Sequence, residues 1–133
     1  MRQFHVLDQI QIVQETGIVS FSSGTTRDIQ LWLRREGTYI VVSAVYGPME
    51  MALRLNLQEV VRGIRLTQAL DGLQTTRQVG SAQSYIGFGL QMDGALLLRL
   101  TIVEDAHGLF AMNFQLSASV AQQFTDWLNQ QAG

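Results

Sequence analysis

Two spacings of apolar residues divide the chain. From Ile29 to Arg34 the alternation is strict, with Ile29, Leu31 and Leu33 set against Gln30, Trp32 and Arg34, the period of a strand that buries one face. Met51, Leu53 and Leu55 alternate in the same way with Arg54 and Asn56 outside. Directly afterwards the period changes, and Leu57, Val60, Val61 and Ile64 fall on one side of a helix. Asn56 followed three residues later by Glu59 is a variant capping box, so the spacing predicts a helix from about Leu57 to Ala69, stopped by Asp71-Gly72. Gly63 inside it costs about 1 kcal/mol relative to alanine, and reads more readily as a neutral surface glycine than as a mark of close packing.

The same succession recurs downstream. Setting Glu36-Gly37 over Asp93-Gly94 brings Ile29, Leu31 and Leu33 onto Ile86, Phe88 and Leu90, with a hydrophobic run after each turn. Setting Leu57 over Leu116 brings Ala52, Leu53 and Leu55 onto Ala111, Met112 and Phe114, and two residues of loop slippage reconcile the two alignments. Further strands are expected at Gly17 to Phe21, weakly at Thr75 to Val79, and at Tyr85 to Met92, Ala95 to Val103 and Leu109 to Gln115. Residues 3 to 14 alternate imperfectly and read as an added strand with a bulge. Small polar residues from Ser22 to Thr26 mark a loop. A closing helix from about Ala118 to Gln131, capped by Ser117, buries Val120, Phe124, Trp127 and Leu128. The expected fold class is α+β: two tandem ββββα repeats, about 15–72 and 73–131, in one domain spanning 1–133, with antiparallel sheets packed against two helices. The nearest rival is a seven-stranded barrel capped by a C-terminal helix, which the internal helix at Leu57 argues against.

Composition narrows the function classes. A hydrophobic fraction of 47% with 15% charged residues and one proline excludes a disordered chain. The absence of cysteine removes disulfides, thiolate zinc sites and cysteine nucleophiles. The cytoplasm is the expected compartment, and the N-terminus lacks the apolar run of a signal peptide or membrane span. All nine basic residues are arginine, a planar fork suited to phosphate, carboxylate and ion pairing. The net charge of −2 gives no long-range field for a polyanion.

Enzymatic readings find little support. Gly87-Phe88-Gly89 with Gly94 misses the dinucleotide fingerprint and sits inside a strand. His5 and His107 are isolated, without a second histidine at metal spacing, and Asp105 reads as part of a turn with Gly108. No metal, cofactor or catalytic residue is expected. Five methionines, among them Met49, Met51, Met92 and Met112, read as core or interface filler. Arg62 and Arg65 belong to the solvated face of the first helix.

Turned away from the helices, alternation collects Gln30, Trp32, Arg34, Arg54, Asn56, Tyr85, Gln91, Arg99, Thr101, Asn113 and Gln115. Arginines hold phosphates and aromatic rings stack on bases in single-strand binders. Trp32, Arg34, Arg54, Asn56, Tyr85, Gln91 and Arg99 are therefore the candidate nucleic-acid-binding residues, with Trp32 and Tyr85 as stacking platforms. Gly87 and Gly89 leave ground beside Tyr85 for a base or for a neighbouring backbone. The same face could instead be solvated or covered by a second protomer.

The junction Leu53-Arg54-Leu55-Asn56-Leu57, with the helix after it, resembles the end of the positive-cofactor-four transcriptional coactivators, whose ββββα units pair as a homodimer. The doubled form is similar to the Whirly family of single-stranded-DNA-binding proteins, which carry both units in one chain, over about residues 15–131. That family's lysine-glycine-lysine-alanine-alanine-leucine strand has no counterpart here. The resemblance implies a non-catalytic module that binds single-stranded DNA or RNA, or is associated with transcription. The alternative is a protein-interaction or assembly module working through homo- or hetero-oligomers, for which the acidic net charge and the glutamine-rich C-terminus speak. Neither reading involves a membrane.

Overall fold

The computed structural model describes residues 4–104 and 108–132. Among these residues ten strands and two helices follow in order: β1 (His5–Leu7), β2 (Gln9–Val13), β3 (Ile18–Ser22), β4 (Ile29–Glu36), β5 (Tyr39–Tyr46), β6 (Met49–Asn56), α1 (Leu57–Leu66), β7 (Leu70–Gly80), β8 (Ser84–Leu90), β9 (Leu96–Glu104), β10 (Gly108–Leu116) and α2 (Ala118–Ala132). The fold is mostly-sheet α+β. One five-stranded sheet runs β2-β3-β4-β5-β6 as an antiparallel meander, and the other runs β1-β10-β9-β8-β7, antiparallel apart from the β1–β10 pair. The His107 and Asp105 expectation lies outside the described residues.

Alternation dictates which face is buried. Leu31 and Leu33 on β4, Ile40 and Val42 on β5, and Leu53 and Leu55 on β6 meet Phe88, Leu98 and Phe114 of the other sheet in one apolar cluster. Both helices add to it: Leu57, Val60 and Val61 from α1, and Val120, Phe124, Trp127 and Leu128 from α2, the stripe expected from spacing. Phe124 meets Phe21 of β3 edge to face at 5.2 Å between ring centroids, a geometry worth about 0.5–1.5 kcal/mol beyond area burial. Met51 and Met112 are core residues, whereas Met49 and Met92 are exposed. Tight turns close the hairpins with Gly37 and Gly94 at positive φ, as the acidic-glycine pairs predict.

Three local expectations are corrected. The bulged strand over residues 3 to 14 is two strands in different sheets: β1 lies beside β10 and β2 beside β3. The alternation breaks because the inward phase passes from Leu7 to Ile10 and Ile12 as the chain changes sheet at Asp8. The Asp8 carboxylate then accepts the Gly24 N–H at 2.9 Å and ties down the loop after β3. Helix α1 stops at Leu66 instead of Ala69, with the Thr67 N–H returning to the Ile64 carbonyl and extended dihedrals at Thr67. Asp71-Gly72 consequently sits inside β7, a strand of eleven residues whose register on β8 shifts twice. Finally, Gly63 is no surface glycine. A Cβ there would lie 3.0 Å from Phe88 Cε2 and 3.1 Å from Val79 Cγ2, so its missing side chain lets α1 approach β7 and β8.

β9, like β8 beside it, is buried on both faces: Leu98 and Leu100 enter the main core, and Leu97 and Thr101 are buried on the other side. A continuous apolar run such as Leu96-Leu97-Leu98 is what burial on both faces requires. Part of that second cover is β7. A Cβ on Gly89, cross-strand from Leu97, would collide with the Gly72 carbonyl oxygen and lie 3.0 Å from Leu73 Cα. Of the two occupants expected beside the β8 glycines, at Gly89 it is the neighbouring backbone that occurs.

Candidate nucleic-acid interface

The outward face of the β2–β6 sheet is the open one, since the helices pack on its inner side through contacts such as Phe124 on Phe21. Register sets its side chains in rows. Trp32, half-buried, lies between Ser20 of β3 and Ser43 of β5, two small residues. One row further, Ile18, Arg34, Val41 and Arg54 lie side by side, so the two arginines flank Val41. The next row carries Glu36, Tyr39 and Asn56.

Each charged group here already has local work. The Arg54 guanidinium carbon stands 4.3 Å from the centroid of the Tyr39 ring, a cation–π contact worth about 0.5–1 kcal/mol at an exposed site. Arg34 forms an ion pair with Glu36. The Asn56 side chain accepts the Glu59 N–H at 3.0 Å and caps α1, so its oxygen serves the helix before any ligand. Glu50, exposed on β6, balances the second arginine, and the face carries as much negative as positive charge.

Tyr85, Gln91 and Arg99 lie elsewhere. Tyr85 and Arg99 belong to β8 and β9 of the other sheet, and Gln91 follows β8. Four of the seven expected residues therefore lie on one sheet, two on the other and Gln91 in the turn after β8, rather than lining one groove. Arg99 is half-buried with Asn113 directly across on β10. Arg99 Nε, Asn113 Oδ1, Thr101 Oγ1 and Gln91 Oε1 are buried without a hydrogen-bond partner among the described residues. Tyr39 and Val41 complete the open face and were missed. The signal was available, because the alternation that buries Ile40 and Val42 turns Tyr39, Val41, Ser43 and Val45 outward.

No family model matches the chain, and no curated protein matches it either. Among the described residues no cluster of three or more histidine, aspartate or glutamate side chains is placed to hold a metal ion. None of their helices is long and apolar enough to cross a membrane.

Proposed function

We propose that the protein is a non-catalytic module that binds single-stranded nucleic acid on the outward face of the β2–β6 sheet. The observation that carries this reading is the juxtaposition, on one helix-free face, of Trp32 with Arg34, Arg54 and Tyr39. Bases would stack on Trp32 and on the free side of Tyr39, each contact worth about 1–3 kcal/mol, while Arg54 and Arg34 meet phosphates. Arg34 must exchange Glu36 for a phosphate to do so, which keeps affinity modest. The order of elements supports the duplicated ββββα unit behind the Whirly-like reading. β3 to β6 run into α1, β7 to β10 run into α2, and the aligned Ile29, Leu31, Leu33 and Ile86, Phe88 all face the core.

Tryptophan fluorescence offers a clean test, because Trp127 is only 2% exposed and quenching by bases reports on Trp32. Titration with short oligothymidylate or oligouridylate at low salt should quench that emission. The slope of log K against log salt should be about −1.4, the value for two phosphate contacts on a single strand. Trp32→Ala and Arg54→Ala should each weaken binding. Absence of binding at tens of micromolar, or binding indifferent to both substitutions, refutes the proposal.

The balanced charge of the face favours a second reading, in which it is covered by a protein partner or a second copy. Trp32, Ile18, Val41 and Val45 would supply the apolar contacts, with Arg34 between Ile18 and Val41 and with Arg54, Glu36 and Glu50 beside them. Self-association seen by sedimentation, weakly dependent on salt and lost in Trp32→Ala, would select it.

A further inference from the structure

A cleft of about 540 Å³ opens between the two helices, well away from the sheet face. The start of α1 touches the end of α2, where Gln58 Nε2 donates to the Ala132 carbonyl at 3.3 Å. Toward the end of α1 the cleft has Leu90 and Leu96 as its floor, between walls of Val61, Ile64, Ala121 and Leu128. The β8–β9 turn blocks the far end, with Gly94 so close to α2 that a Cβ on it would touch Ala118 Cβ at 3.4 Å. A groove closed at both ends suits a compact molecule and leaves no exit for the length of a docked helix. Its volume lies within the ~300–1,000 Å³ of small-molecule sites, which share this plan of apolar walls with few polar groups.

Most polar groups at the rim are already engaged. Thr67 Oγ1 donates to the Gly63 carbonyl at 2.6 Å, Gln122 Nε2 to Asp126 at 2.9 Å, and one Asp93 oxygen accepts the Ala95 N–H at 2.9 Å. Arg65, exposed in the last turn of α1, is the cationic residue of the lining and has no ion-pair partner among the described residues. We propose that this cleft binds a small amphiphile, a carboxylate with an aliphatic or aromatic body, whose apolar part fills the space between the helices while Arg65 takes the carboxylate. Asp93 also lines the cleft and disfavours an anion beside it, which weakens binding. This site is independent of the sheet face.

Sodium dodecanoate, kept below its micelle concentration, is the probe, and amide shifts in a heteronuclear NMR titration are the readout. Saturable shifts should map to Ile64, Leu90 and Ala121 and spare Trp32. Affinity should fall about fourfold for each methylene removed from the chain. Arg65→Gln should weaken binding at least about fivefold, Asp93→Asn should strengthen it, and Thr125→Trp, a partly exposed α2 position lining the cleft, should abolish it with the circular dichroism unchanged. Equal affinity for dodecanol removes the role of Arg65. Shifts spread over the surface, no saturation at millimolar probe, or binding unaffected by Thr125→Trp overturns the site. Concentration-dependent dimerisation abolished by Thr125→Trp would show that a second copy fills the cleft and would overturn it too.

Discussion

Replacing Gly63 with alanine sets two effects of known size against each other. In a solvent-facing helical position the change would stabilise the protein by about 1 kcal/mol, because alanine loses less backbone freedom on folding. Here the added methyl would stand 3.0 and 3.3 Å from the Phe88 ring and 3.1 Å from Val79 Cγ2. Phe88 is fully buried and held between β7 and β9, so it has little room to move, whereas Val79, nearly as buried, lies on the edge strand β7. Overpacking of this kind costs about 1–3 kcal/mol. The net expectation is a loss of roughly 0–2 kcal/mol, or up to about 8 °C in Tm for a chain of this size. Urea unfolding followed by far-ultraviolet circular dichroism reads it directly. A double-mutant cycle sharpens the test: Phe88→Leu alone should destabilise, but Gly63→Ala in its background should cost less than in the wild type, because the clash has been removed. Stabilisation by Gly63→Ala in the wild type, or strict additivity in the cycle, would refute the claim that the glycine is there for close approach.

Two further substitutions probe other parts of the argument. Asn56→Ala removes the oxygen that accepts the Glu59 N–H and should lower stability by about 0.5–2 kcal/mol. Measured by the same unfolding curves, no loss would mean that the cap contributes nothing. Thr101→Val replaces a hydroxyl that is 1% exposed and without a partner by a methyl of similar shape. Because an unpaired buried hydroxyl costs about 1–3 kcal/mol, the change should be neutral or stabilising, and a clear loss in Tm would show that the hydroxyl is satisfied in solution.

Much of the candidate face was legible in sequence and some of it was not, for reasons visible in particular residues. Trp32, Arg34 and Arg54 could be placed outward because they alternate with the inward Leu31, Leu33, Leu53 and Leu55. Tyr39 obeys the same count and was overlooked because its strand is apolar on both sides, with Val41 and Val45 outward, and so shows no polar alternation. Grouping Tyr85 and Arg99 with Trp32 assumed that outward residues of different strands share a surface. Counting along a strand says which side of its own sheet a residue takes and nothing about which sheet that is.

The sequence by itself determined what is decided within a few residues. Where β4 and β6 alternate, where α1 begins under the Asn56 cap, which stripe of α2 is buried and where glycine turns the hairpins are all matters of local period and local hydrogen bonds. Tertiary structure decided the rest: the division of residues 5–13 between two sheets, the early end of α1, the covering of Leu97 and Thr101, the packing of Gly63 on Phe88, and the cleft between the helices. Each of these depends on which distant strand or helix arrives alongside. That choice is a small difference between alternative packings of the whole chain, and no local pattern carries it.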